Sequence, residues 1–166
     1  MTGNRKAILT GMAAGVVWGT ALVWIGVTRV NLPIFSLVPT LAFAFLGPGI
    51  VLLALIARLA QRRFFDDSLI DGAPYATGSA ADIDARVLQN TVEQLVLAVA
   101  LWPPIAYLML GDGPGVMACL GIGFAIARAA FWIGYHASPP LRAFGFAATF
   151  YPTIIALIWA LIARLT

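Results

Sequence analysis

Residues 116–135 read Val-Met-Ala-Cys-Leu-Gly-Ile-Gly-Phe-Ala-Ile-Ala-Arg-Ala-Ala-Phe-Trp-Ile-Gly-Tyr, an apolar run broken by a single charge, Arg128. A helix needs about 20 mostly apolar residues to cross a bilayer, and this run supplies them. Four further runs of the same kind lie at 7–28, 35–59, 87–110 and 144–163. Lipid offers a backbone no hydrogen bonds, so each run satisfies its own as a helix. The expected fold is an all-α integral membrane helical bundle of five spans.

Composition points the same way. The 166 residues are 61% hydrophobic and 10% charged, against about 25% charged in soluble domains. Mean hydropathy is +0.94. The formal charge is +3, but the cations sit at the ends of apolar runs. That pattern suits membrane topology and anionic headgroups and gives no reason to invoke a nucleic acid. Cys119 is the only cysteine, so no intrachain disulfide forms, and its apolar neighbours mark it as a small packing residue.

The connectors are short except for residues 60–86. That stretch carries Asp66, Asp67, Asp71, Asp82 and Asp84 with the turn residues Gly72, Pro74 and Gly78, and reads as one polar loop. Asp82 or Asp84 is a candidate cap for the third helix. Pro39 and Gly47-Pro48-Gly49 in the second run, and Pro103-Pro104 in the third, mark sites of kinks or a broken helix. The first run is too long for a signal peptide and no small-residue cleavage site follows it, so it is expected to be retained. Gly11, Gly15 and Gly19 put small residues on one face of it, where another helix approaches closely.

Basic residues set the orientation. With a cytoplasmic N-terminus, that side holds Arg5, Lys6, Arg58, Arg62, Arg63, Arg86 and Arg142, and the other side only Arg29 and Arg164. This asymmetry obeys the positive-inside rule. Two ionisable residues remain inside the spans, Glu93 (the only glutamate) and Arg128. A charge at mid-span costs about 2.5–3.5 kcal/mol on insertion scales. Each lies seven residues from the same membrane edge, about 10 Å deep at 1.5 Å per residue, so on antiparallel helices they are expected to face each other. Arg86, Asn90 and Glu93 share one helical stripe, and Arg128, Phe131 and Tyr135 share another. Arg142 follows beyond Ser138-Pro139-Pro140. Two readings stay open from the pattern: a Glu93–Arg128 ion pair that fixes helix register, or a polar pocket whose arginines outnumber its one carboxylate and so bind an anion.

At these residues the chain resembles the MAPEG superfamily, the membrane-associated proteins in eicosanoid and glutathione metabolism. Its members include microsomal glutathione transferases, leukotriene C synthase, microsomal prostaglandin E synthase and a non-catalytic lipoxygenase-activating protein. Arg86-Val-Leu-Gln-Asn90-Thr-Val-Glu93 matches the family's R-x-x-x-N-x-x-E. Ala127-Arg128-Ala-Ala-Phe131-Trp-Ile-Gly134-Tyr135, followed by Arg142, matches its A-R-x-x-Y-x-x-G-Y and a later arginine. The resemblance covers residues 35–166 as a four-helix membrane domain. Residues 1–34 form an extra N-terminal span outside it.

The resemblance implies a homotrimer in the lipid bilayer with glutathione as co-substrate. It implies Arg86, Asn90, Glu93, Arg128 and Tyr135 as glutathione contacts and Arg142 as the catalytic group that stabilises the thiolate. Arg62 or Arg63 is similar in position to a basic pair ending the family's first helix. No metal is implied. The activity implied is a glutathione transferase or peroxidase acting on a lipophilic small-molecule substrate, and the compactness of the chain suggests a bacterial inner membrane. Two departures stand out: Phe131 occupies a tyrosine position, and Gln94 follows Glu93 where some members have tyrosine. Two rivals follow. One is a non-catalytic member that binds a lipid or a protein; the other is a small transporter gated by Glu93 and Arg128. His136 reads as an interfacial residue.

Overall fold

The computed structural model describes residues 3–165. Five helices carry the chain: α1 Gly3–Thr28, α2 Leu37–Phe64, α3 Ala80–Leu108, α4 Gly113–Ala137 and α5 Pro139–Leu165. All five are long and apolar enough to cross a membrane. The protein is an integral membrane helical bundle, as the five apolar runs predict. The exposed faces are apolar too: Phe43, Leu46, Ile50 and Leu53 of α2 all point out of the bundle, as lipid-facing side chains do.

The helices outrun the apolar segments at their polar ends. α2 continues to Phe64 and α3 starts at Ala80, so the loop expected over 60–86 is confined to 65–79. Neither expected aspartate caps α3. Ser79 is the N-cap, and its hydroxyl accepts the Asp82 N–H at 3.1 Å. Asp82 reaches back to accept the Gly78 N–H at 2.8 Å and pairs forward with Arg86 at 2.9 Å. Serine wins because its short side chain reaches the free N–H groups from outside the first turn. Arg63 holds the loop by donating to the Tyr75 hydroxyl at 2.8 Å.

The second run is one continuous helix. Pro39 falls in its first turn, where a missing N–H costs nothing, and Pro48 lies buried inside it. α3 and α4 are joined by a tight turn whose Leu110 takes a φ of 50°, a conformation that L side chains rarely adopt.

α4 is the central post and packs on all four other helices. Small residues make this possible. A Cβ on Gly121 would lie 2.4 Å from the Ala44 carbonyl oxygen of α2, and one on Gly145 of α5 would lie 2.4 Å from the Phe131 nitrogen. The main core clusters around Trp102, which stacks on Phe45 at 5.3 Å, meets Phe124 edge-on at 6.0 Å and donates its indole N–H to Thr153 at 3.1 Å. α1 lies along α5 on the glycine face expected of it, and a Cβ on Gly15 would sit 2.4 Å from the Ala147 Cβ.

Candidate functional site

Arg128 is the first fixed point. Its side chain is fully buried where α4 meets α5 and α3. Nε donates to the Thr149 hydroxyl at 3.0 Å, Nη2 to the Gly145 carbonyl at 3.0 Å and Nη1 to Asn90 Oδ1 at 2.9 Å. Thr149 also donates to Gly145 at 2.8 Å, which closes a small network on α5. The guanidinium lies 4.1 Å from the Phe131 ring centroid, in cation–π range. A buried guanidinium is stable when its donors are used in this way.

Asn90 transmits that order to the surface of α3. With Oδ1 taken by Arg128, its Nδ2 points outward and donates to Glu93 Oε2 at 3.1 Å. Gln89 donates to the other Glu93 oxygen at 3.1 Å. The expected face-to-face pair of Glu93 and Arg128 does not form: among the described residues no ion pair joins them, and Asn90 stands between. The reason is directional. Arg128 turns toward α5, where a hydroxyl and a carbonyl await it, while Glu93 lies on the exposed side of α3. Arg86, one turn before Asn90, is held by Asp82 and is also exposed.

Tyr135 and Arg142 meet across the α4–α5 turn. The Arg142 guanidinium stacks over the Tyr135 ring at 4.9 Å, and Tyr135 meets Phe131 edge-on at 5.1 Å. Gly134 permits this closeness: a Cβ there would lie 2.2 Å from the Arg142 nitrogen. A cleft of about 460 Å3 opens beside these groups. Asn90, Tyr135 and Arg142 supply its polar lining, and Ile8, Met12 and Phe146 are among its apolar lining. Three of the six sequence-derived site residues therefore line one space. Arg128 lies beneath it and acts on it through Asn90, while Arg86 and Glu93 flank it on the outer face of α3. Among the described residues no cluster of His, Cys, Asp and Glu is suited to hold a metal ion.

A second polar centre was not anticipated. Asp84 is fully buried between α2, α3 and α4. It accepts from Arg62 Nε at 2.8 Å, Trp132 Nε1 at 2.8 Å and His136 Nε2 at 2.9 Å, with Arg58 at 3.6 Å. A carboxylate only accepts, so Nε2 of His136 carries the proton in this contact. His136 is thus a partner in a buried latch and not merely an interfacial residue. The spacing held a signal: Arg58 and Arg62, and Trp132 and His136, are both i, i+4 pairs that set two donors on one helical face.

A model of the MAPEG family matches residues 36–162. No curated protein and no solved structure matches the chain. The match spans α2 to α5 almost entirely and includes both polar centres, and the chain belongs to the MAPEG family. α1 lies outside it.

Proposed function

We propose that this MAPEG protein binds glutathione at the Asn90–Tyr135–Arg142 cleft and activates its thiol for attack on electrophiles dissolved in the lipid. The observation that carries this reading is the convergence of a carboxamide, a phenol and a half-buried guanidinium on one cleft whose other lining is apolar. Glutathione brings two carboxylates, an ammonium and a thiol. Arg86 and Glu93, exposed on α3 beside the cleft, suit a carboxylate and the ammonium. A free thiol ionises near pH 8.5, and an adjacent cation favours the thiolate. Lowering that value by about 2 units requires roughly 2.7 kcal/mol of differential stabilisation. One guanidinium in a partly dry site is of the right size to supply it.

The thiolate sulfur then forms a bond to carbon. In a substitution the leaving group departs with its bonding pair, and the thiol proton has already gone to water. Arg142 stands beside the reacting sulfur and is the catalytic residue of this proposal. Arg128 is a positioning residue that fixes which way the Asn90 carboxamide points.

Arg86, Gln89 and Glu93 lie exposed on α3. A carboxylate facing hydrocarbon is costly, so a second copy of the chain covering this stripe is expected, consistent with a homotrimer in which glutathione lies between subunits. The basic asymmetry supports a cytoplasmic side for the loop and the N-terminus, and a bacterial inner membrane belongs to the same reading. The bundle half away from the loop is filled by Trp102, Ile105, Met117, Leu120 and Phe124, which argues against a transport path.

The test is an ultraviolet difference spectrum of the purified protein titrated with glutathione near neutral pH, beside Arg142→Ala. A thiolate band that disappears in the variant, with glutathione affinity kept within about tenfold, supports activation. Calorimetric binding without a band in the wild type makes the protein a non-catalytic binder. Neither binding nor a band defeats the proposal.

A further inference from the structure

The cleft is not built by the family region alone. Ile8 and Met12 come from α1, which lies outside residues 36–162. Their placement follows from how α1 docks. Gly11 sits between them in sequence, and a Cβ there would lie 2.4 Å from the Pro140 carbonyl oxygen at the start of α5. That backbone-to-backbone approach brings the neighbouring side chains over the first turns of α5. Ile8 and Met12 are i, i+4 on α1, and Arg142 and Phe146 are i, i+4 on α5, so each pair shares one helical face. Both faces border the same space.

The lining has two chemical characters. Asn90, Tyr135 and Arg142 are polar, and Ile8, Met12 and Phe146 are among the apolar residues. Met12 is 36% exposed and Phe146 37% exposed, so this apolar lining reaches the surface of two helices apolar enough to cross a membrane. A volume of about 460 Å3 falls within the range of about 300–1,000 Å3 common for small-molecule sites.

We infer that α1 forms the second wall of the electrophile site, with Ile8 and Met12 holding the apolar part of an uncharged aryl or alkyl substrate against Phe146 while its reactive carbon faces Arg142. This rests on the glutathione reading above and adds to it the origin of electrophile selectivity. Methionine is unbranched and adapts to varied shapes, so the wall accepts a range of apolar groups and discriminates by bulk. Charged electrophiles are disfavoured, since Ile8, Met12 and Phe146 offer a charge no partner.

The test uses the full chain in lipid nanodiscs and an S-alkylglutathione with a diazirine at the end of its alkyl chain. After irradiation, adducts are mapped by peptide mass spectrometry, with and without excess glutathione. The expected result is adduct formation at residues 8–12, reduced at least tenfold by glutathione. In Gly11→Leu, which forces α1 away from α5, these adducts fall at least fivefold while glutathione affinity is unchanged. Met12→Trp lowers kcat/KM for a bulky aryl electrophile at least tenfold more than for a small one. Glutathione-displaceable adducts confined to α2–α5 overturn the wall and leave the glutathione site standing. Absence of any glutathione-displaceable adduct overturns the site and the wall together.

Discussion

Replacing Asp84 by Ala removes the acceptor that joins α2, α3 and α4 at the loop end of the bundle. Its side chain is fully buried and accepts three hydrogen bonds, from Arg62 at 2.8 Å, Trp132 at 2.8 Å and His136 at 2.9 Å. Hydrogen bonds to a charged group contribute about 1.5–3 kcal/mol each, but these share one carboxylate and do not add. Breaking a buried pair by removing one partner costs about 3–5 kcal/mol. The lower end applies here, because the Arg62 and His136 side chains are 27% and 37% exposed and water replaces part of what they lose. The expected destabilisation is about 3 kcal/mol, or roughly 6–12 °C in melting midpoint for a chain of this size. Asp84→Asn keeps one oxygen for Trp132 and His136 but turns an N–H2 toward Arg62, which also donates. Its midpoint is expected between those of the wild type and the Ala variant. Thermal melting in detergent, followed by near-ultraviolet circular dichroism, reports tertiary packing while the helices persist. An Ala variant that melts within about 1 °C of the wild type, well below the expected shift, would refute the assignment of Asp84 as the joint.

Three further outcomes follow from the contacts. Gly15→Leu cannot keep α1 against Ala147, so tryptic cleavage after Arg29 is expected to speed up at least tenfold, while Ala13→Leu on the exposed face of α1 leaves it unchanged. Thr153→Val strands the buried Trp102 N–H at a cost of about 1–3 kcal/mol, and adding Trp102→Phe recovers part of it, which a double-mutant cycle in melting experiments measures. Asn90→Asp puts a carboxylate between Arg128 and Glu93, so the bundle keeps an Arg128 partner and its melting point, while glutathione affinity by calorimetry falls at least tenfold.

The five spans were legible because each is a single long apolar run, and hydropathy is a local property. The docking face of α1 was legible for the same reason: Gly11, Gly15 and Gly19 recur every four residues without help from the rest of the chain. The family was legible at Arg86, Asn90, Glu93, Arg128, Tyr135 and Arg142, whose spacing survives in the sequence whatever they touch. What escaped were pairings set by the rotation of one helix against another. Asp84 read as a loop acid or a cap for α3, since its burial depends on arginines 22 and 26 residues before it and on Trp132 and His136 about 50 residues after it. Arg128 read as the partner of Glu93 because depth can be counted along a helix, whereas the side of α4 from which Thr149 and Gly145 reach it cannot. Nothing local told where α1 would sit, so its place in the cleft was invisible.

The two polar centres divide the labour of holding one geometry. On α4, Phe131 and Tyr135 look toward the cleft and Arg128 toward α5 and Asn90, whereas Trp132 and His136 look toward Asp84. On α3, Asp84 looks toward α2 and α4, and Asn90, six residues on, looks toward Arg128. α3 and α4 are therefore tied at the loop end by Asp84 and at the far end by the tight turn between Leu108 and Gly113. Two ties so far apart along both helices fix rotation as well as register, and the Asn90–Arg128 hydrogen bond lies between them. Between the ties, Val87 of α3 packs with Leu55 and Phe131, and the latch at Asp84 pins the end of α3 that these side chains close on. Loss of Asp84 should then loosen a carboxamide roughly 9 Å away along α3, at 1.5 Å per residue, though the two never touch. In Asp84→Ala, glutathione affinity should fall even at temperatures where the bundle is still folded. Affinity equal to that of the wild type under those conditions would show that Arg128 alone orients Asn90.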